Sequence, residues 1–233
     1  MSISICIVAH NEEQNISKAI DNLSKIMKKS KIKDYEIMIY NDGSTDQTEE
    51  IARKFLNKNI FLFSNKHKQG WIKMYEIAIK KTSKDYLIFF PADNAFSSKK
   101  LVQFFKNYNN YDCIFGQRMN YYDELPNSRA ILSKLLSYVM NFLLYIDVKD
   151  VHSSHLYKKK NLRKKIEFTK GNGCWLEVIL NITKRTETYT TRELYLTKGH
   201  SKNSSLMTFK NLSTISYSFL MIIILRIFHI RDF

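Results

Sequence analysis

Glycine and proline are scarce, at 6 and 2 of 233 residues. A collagen-like repeat needs glycine at every third place, and low-complexity disordered chains are rich in both residues, so neither class fits. Cysteine is scarce too. Cys6, Cys113 and Cys174 are odd in number, widely spaced and free of any Cys-x-x-Cys or Cys/His pattern. That argues against a disulfide framework and a zinc site. Cys6 and Cys113 lie in apolar runs and are expected to be buried thiols on the reducing, cytosolic side. Acidic residues are in deficit, 22 against 37 Lys and Arg, for a net charge of +15. The resulting field gathers polyanions and anionic lipid headgroups without saying which. No glycine-rich turn follows the first apolar run, which disfavours a nicotinamide-binding fold. No basic-then-apolar leader precedes that run, so no signal peptide is expected.

What is present is core-forming material. The chain is 44% apolar and 13% aromatic. Its length suits one α/β domain with a short appendage. Short, mostly β-branched runs at 2–10, 35–41, 60–64, 85–91 and 112–118 predict strands. Between them, apolar residues at helical spacing predict helices over 12–29, 46–58, 70–82 and 98–108. This is a βαβαβαβαβ order, and right-handed crossovers then give a doubly wound, mostly parallel sheet between two helical layers. The second half is less regular. Helices are predicted over 128–146 and 173–184, a basic turn and helix at 158–165, a strand at 188–196 and a loop at 197–205. The apolar stretch 215–230 is interrupted by Arg226.

Ligands of such sheets sit beyond the carboxyl ends of the strands. Three of the predicted strands end in polar groups: His10-Asn11-Glu12, then Asn41-Asp42-Gly43-Ser44-Thr45-Asp46, then Pro91-Ala92-Asp93-Asn94. Carboxylates accept the N–H and O–H donors of a base and ribose. They also hold a hard divalent cation, which a diphosphate needs. Each motif alone is also ordinary turn and cap chemistry. Their recurrence on one sheet edge is the informative feature.

The segments SICIVAHNEEQNI, YEIMIYNDGSTDQTEEIA and DYLIFFPADNAF resemble the serial signatures of family 2 inverting glycosyltransferases, nearest the dolichyl- or polyprenyl-phosphate sugar synthases. The resemblance runs over about residues 2–205. It implies a GT-A fold over 1–205, a UDP-, GDP- or dTDP-sugar donor, and Mg²⁺ or Mn²⁺, while the apolar stretch makes 206–233 an expected C-terminal membrane-associating helix. It further implies a nucleotide-sugar pocket from Ala9, Asn11, Glu12, Asp42, Gly43, Ser44, Gly70, Ala92, Asp93 and Lys202. Asp93 matches the second acid of the Asp-x-Asp signature and is the implied metal ligand. Gln117, Arg118, Arg129 and Ser201 are the implied acceptor residues. Asp150 and Glu177 are the implied acids near the reacting centre, with Arg118 and Asp93 completing the catalytic set. Gly199, Ser201 and Lys202 match a Gly-x-Ser-Lys loop that closes over the phosphates. Departures from the pattern are Pro91 for the first acid of Asp-x-Asp, Ala95 for a Gln, and Ser154-His155 for Gly-Phe.

Inverting transfer is one in-line displacement in which the leaving diphosphate gains charge. A hydroxyl acceptor wants a general base. A lipid phosphate is already anionic and wants cations instead. The expected partners are therefore a nucleotide-sugar donor, a lipid phosphate or a glycan acceptor, and a membrane surface. Self-association is also open. The apolar segment at 215–230 reads either as a monotopic helix on the cytoplasmic face of a membrane or as a core or interface helix. A saccharide-hydroxyl transferase and a catalytically weakened nucleotide-sugar-binding protein stay open. Nucleic acid is not an expected partner, because the aromatics are not interleaved with Lys and Arg.

Overall fold

The computed structural model describes residues 1–120, 127–197 and 209–227. A seven-stranded sheet runs in the order β3-β2-β1-β4-β6-β5-β7. Its strands are β1 (Ile3–Ala9), β2 (Tyr35–Asn41), β3 (Ile60–Ser64), β4 (Tyr86–Pro91), β5 (Cys113–Arg118), β6 (His155–Lys158) and β7 (Tyr189–Leu194). The helices are α1 (Ile16–Lys29), α2 (Thr48–Arg53), α3 (Trp71–Lys81), α4 (Ser98–Phe104), α5 (Asn127–Leu144), α6 (Cys174–Arg185) and α7 (Phe209–Ile227).

Period-2 alternation in the strands divides the core. Ile3, Ile5 and Ile7 of β1 face a cluster built with α1, α2 and α4, where Ile16, Ile20, Leu101 and Phe104 are buried. Cys6, Tyr40 and Leu87 face the opposite cluster, with Met74, Met140, Leu176 and Ile222. The three thiols are buried, as expected for the first two. Burial pushes the Cys6 thiol up, which leaves it inert. α1 shows how the sequence sets an element. Ile16, Ala19, Ile20, Leu23 and Met27 line its buried stripe. Lys28 and Lys29 favour its C-terminal dipole, and Lys31 in the left-handed region (φ 57°) ends it.

Four features depart from the sequence reading. Helix 46–58 shrinks to α2, and helix 98–108 ends at Phe104. Residues 158–165 hold only a 3-10 turn at Lys159–Asn161. A strand not foreseen, β6, inserts antiparallel between β4 and β5. Its HLYK is four residues long and flanked by serines and lysines, too short to show a period. α7 packs in part on the domain, within the core-helix alternative. Ser218, Ile222 and Leu225 are buried. The packing is close enough that a Cβ on Gly173 would stand 2.2 Å from Ser218 Oγ. Among the described residues no helix is long and apolar enough to cross a membrane.

Because β6 is antiparallel to both neighbours, β4 and β5 run the same way. β7 is parallel to β5, and β2 and β4 are parallel to β1. The carboxyl ends of β1, β2, β4, β5 and β7 therefore share one edge with the start of β6. The chain runs from β1 through β2 to β3 on one side and then crosses to β4 on the other, which makes the β1/β4 boundary the switch point.

Candidate active site

The register fixes the floor of the site. Ala9 pairs with Asn41 and Val8 with Pro91, so the segments carrying Asp42 and Asp93 emerge on either side of β1. Their strand axes are roughly 10 Å apart, two sheet spacings. The loops after β1 and β2 are stitched together. The Asn11 amide donates to Ser44 Oγ (3.0 Å), and the Thr45 amide donates to Asn11 Oδ1 (2.9 Å). The Glu12 amide donates to Thr48 Oγ1 (2.7 Å), the Glu13 amide to Asp46 Oδ2 (3.1 Å) and the Gln47 amide to Glu13 Oε2 (3.0 Å). Asn11 is left-handed (φ 57°), a conformation asparagine tolerates.

Asp42 is buried, and its carboxylate is already gripping the chain. Oδ1 accepts the Asn65 amide side chain (3.1 Å) and the Gln69 N–H (2.7 Å), and Oδ2 accepts the Gly70 N–H (2.9 Å). The expected base or ribose acceptor thus also fixes the course of 65–70 and caps the start of α3 with negative charge. That loop presses on Gly43 (φ 67°), where a Cβ would meet His67 C and Lys68 N at 2.5 Å each. Gly70 (φ 85°) needs its glycine for conformation alone, with open space around it.

Asp93 is held by its own turn, with Oδ1 accepting the Ala95 N–H (3.1 Å). Asn94 is left-handed (φ 54°). Its side chain accepts from Asn22 (2.9 Å), which in turn accepts from Ser98 (2.6 Å). The segment after β7 is rooted on the same turn. Ser97 N–H donates to Tyr195 O and Thr197 N–H to Ala95 O, each at 2.8 Å. Gly199, Ser201 and Lys202 lie outside the described residues, but the chain leading to them starts beside Asp93. Ala9 and Ala92 are buried beneath these loops.

At the other end of the edge, Arg118 and Asp150 form a buried bidentate pair. Nε and Nη2 of Arg118 donate to Oδ2 (2.5 Å) and Oδ1 (2.8 Å). The Arg118 and His152 amides donate to the same carboxylate. Burial works to raise the Asp150 carboxyl, but the Arg118 charge and these bonds outweigh it and hold it below the usual carboxylate range. Glu177 is 1% exposed. It accepts the N–H groups of Glu167, Phe168 and Thr169 and the Thr169 hydroxyl, at 2.7 to 3.0 Å. One of these bonds goes to Oε1 and three go to Oε2. In this structure it holds the 167–169 segment ahead of α6. Gln117 is half-buried beside Arg118. Arg129 lies in the first turn of α5, and its side chain is outside the described set.

The profile of the glycosyl transferase family 2 domain matches residues 4–166, more than half of the chain. The chain is a family 2 glycosyltransferase. This glycosyltransferase is 24% identical over 127 residues to a teichoic acid poly(glycerol phosphate) polymerase of Staphylococcus epidermidis, covering 53% of this chain and 17% of the relative. It is 24% identical over 157 residues to a dolichyl-phosphate beta-glucosyltransferase of Trichomonas vaginalis, covering 62% of this chain and 48% of that one. It therefore spans less than half the length of these curated relatives. Among solved structures, glucosyl-3-phosphoglycerate synthase from Mycobacterium tuberculosis in complex with UDP superposes with a TM-score of 0.67 at 15% identity, over 95% of this chain and 80% of that one. The same synthase with Mn²⁺, UDP-glucose and phosphoglyceric acid gives 0.65 at 16% identity, over 93% and 79%. The shared fold is GT-A.

In this glycosyltransferase no group of three His, Cys, Asp or Glu side chains among the described residues could hold a metal ion. The donor set still fits a cation that arrives with its ligand. Magnesium-type sites use one or two carboxylates, with substrate phosphates and water supplying the rest. Asp93, two residues past β4, is one carboxylate of the kind such sites use. Sequence reasoning missed His155. It is buried at the start of β6, accepts the Gly116 N–H at Nδ1 (3.0 Å) and reaches Val151 O from Nε2 (3.2 Å). Those partners require a neutral ring carrying its proton on Nε2. Burial lowers its pKa to about 4. The signal was visible in the sequence as His155 standing where the family pattern has Phe.

Proposed function

We propose that this glycosyltransferase moves a sugar, with inversion, from a nucleoside-diphospho-sugar to a polyprenyl phosphate at the cytoplasmic face of a membrane. The observation that carries the donor half is the emergence of Asp42 and Asp93 on either side of β1, at the switch point. The stitched loops 10–13 and 42–48 supply a rigid wall for the nucleotide, and Asp93 stands where the diphosphate would lie. A divalent cation, Mg²⁺ or Mn²⁺, would be held by Asp93 and would offset the charge of the departing diphosphate. By the resemblance of the Gly-x-Ser-Lys loop, Lys202 would supply a further positive charge.

The acceptor half rests on what the other carboxylates are doing. A hydroxyl nucleophile needs a base. Asp150 is ion-paired with Arg118, and Glu177 is engaged by three backbone amides and the Thr169 hydroxyl. A phosphate is already a nucleophile at neutral pH and needs neither. Arg118 brings a permanent positive charge to this end of the edge, Gln117 adjoins it in the chain, and Arg129 lies in the first turn of α5. The similarity to a dolichyl-phosphate beta-glucosyltransferase supports the same reading.

The test has two arms. Thermal shift with UDP-, GDP- and dTDP-sugars, with and without Mn²⁺, is expected to show stabilisation by one nucleotide family. Asp93→Asn should remove the Mn²⁺-dependent part. Transfer of radiolabelled sugar to a short-chain polyprenyl phosphate is expected for the wild type and should fall more than about 100-fold in Asp93→Asn. A flat thermal response across all nucleotides would refute the donor site. Transfer to saccharide hydroxyls with none to prenyl phosphate would refute the acceptor.

A further inference from the structure

One helix carries apolar surface that the proposed chemistry does not use. On α5 and the residue after it, Ile131, Leu135, Tyr138, Phe142 and Tyr145 are 62%, 58%, 73%, 74% and 80% exposed, with Leu132 also exposed. An aromatic side chain presents on the order of 150–250 Å². The three aromatics and three aliphatics together thus exceed the few hundred Å² that soluble monomers ordinarily leave bare.

We propose that this face of α5 is the surface by which the protein lies on an anionic lipid bilayer, with its apolar side chains at the headgroup–acyl boundary. The inference rests on the lipid-phosphate reading above and gives it a location. Width favours a planar medium over a second helix. At about 100° per residue, the helical side chains from Tyr138 through Ile131, Phe142 and Leu135 to Leu132 span roughly 120°, wider than the two-position seam of a helix pair. Two of the six are tyrosines, which suit a boundary with one wet and one apolar side. Charge favours the same partner. Lys134 and Lys149 are exposed on and just beyond the helix, with Asp147 exposed beside the latter, and the chain as a whole is +15. That net charge attracts an anionic surface and repels a second copy.

The inner face of the same helix holds the acceptor end of the site. The Val151 amide donates to Ser137 Oγ (3.1 Å). The Asn141 side chain donates to Val148 O (2.9 Å) and accepts the Val148 amide (3.2 Å). Residues 148–151, including Asp150, are therefore tied to α5. A bilayer against the outer face would place the Arg118–Asp150 pair close to lipid headgroups, where a membrane-borne phosphate is presented.

The test uses the full chain and vesicles of phosphatidylcholine, with and without phosphatidylglycerol. Wild type is expected to sediment with the anionic vesicles. The exposed-face variant Leu135→Asp/Phe142→Asp should bind more than about tenfold more weakly, since two large apolar side chains no longer bury. Its melting temperature and its transfer to a water-soluble short-chain prenyl phosphate should be unchanged, while transfer to a long-chain acceptor in vesicles falls. Equal sedimentation of variant and wild type would overturn the proposal. So would a wild-type dimer by light scattering that the variant dissociates, without vesicle binding. Sedimentation that depends on α5 but without transfer to any prenyl phosphate would sink the functional reading and leave the docking surface standing.

Discussion

The two edges of the sheet use the same chemistry to different ends. At the amino edge, Asp85 accepts the Ser2 amide and hydroxyl, and Glu36 accepts Ser4, the Ser83 amide and the Ser83 hydroxyl. Asp112 takes Lys158 and the amides of Glu187 and Thr188. At the carboxyl edge, Asp42, Asp46 and Asp150 fasten loops in the same manner. A carboxylate engaged by backbone amides therefore does not by itself mark the working edge. Backbone conformation does so by number rather than exclusively, since Lys31 and Asn107 are also left-handed at the amino edge. Asn11, Gly43, Gly70 and Asn94, all with positive φ, lie in the loops around Asp42 and Asp93. Such conformations cost energy and persist where the surroundings enforce them.

The comparison can be broken most forcefully at its ion pairs. Arg118→Met leaves Asp150 buried without its cation and should cost about 3–5 kcal/mol by urea unfolding. The double variant Arg118→Met/Asp150→Leu should recover most of that loss. A single-variant cost near zero would mean that the carboxyl edge is no more tightly built than the rest of the surface. The next effect is pH-dependent. His155 is neutral in the fold with a pKa of about 4, below its ordinary value. Its contribution is therefore fully present above pH ~6.5 and is lost as the pH falls toward 4, to a total of about 3 kcal/mol. Unfolding midpoints between pH 7 and 4 should show this slope, and His155→Asn should flatten it while retaining an acceptor for Gly116. The smallest effect belongs to the amino edge. Lys84 and Asp34 pair at 2.6 Å, but Asp34 is 64% exposed. Lys84→Met should change stability by less than about 1 kcal/mol and leave transfer activity as it was.

The sequence shows the donor half of this architecture more clearly than the acceptor half, for a physical reason. β1, β2 and β4 are buried on both faces, so they appear as continuous apolar runs, and the polar residues that follow mark their ends. Asp42 and Asp93 were legible because they stand one and two residues past strands of that kind. β6 is four residues long and starts with His155, so neither length nor pattern announced it. Without β6 there was no way to see that Asp150 would be carried to Arg118, 32 residues away in sequence. Glu177 has the spacing of an acid on a helix near the site, yet its partners at 167–169 are backbone amides that no side-chain pattern encodes.

The inserted strand also bears on how the protein is made. Leu87 and Ile88 of β4 find their outer hydrogen-bond partners only in Tyr157 and Leu156. On a ribosome, β1 to β4 can zip together while that flank is still an open, apolar strand edge. Some 65 further residues must emerge before β6 can seal it and let β5 and β7 join, a long-range closure that slows folding. For that interval the nascent enzyme holds the ends of β1, β2 and β4 in place while remaining open to pairing with another chain. Chaperone demand during synthesis should therefore peak between the completion of β4 and the arrival of β6.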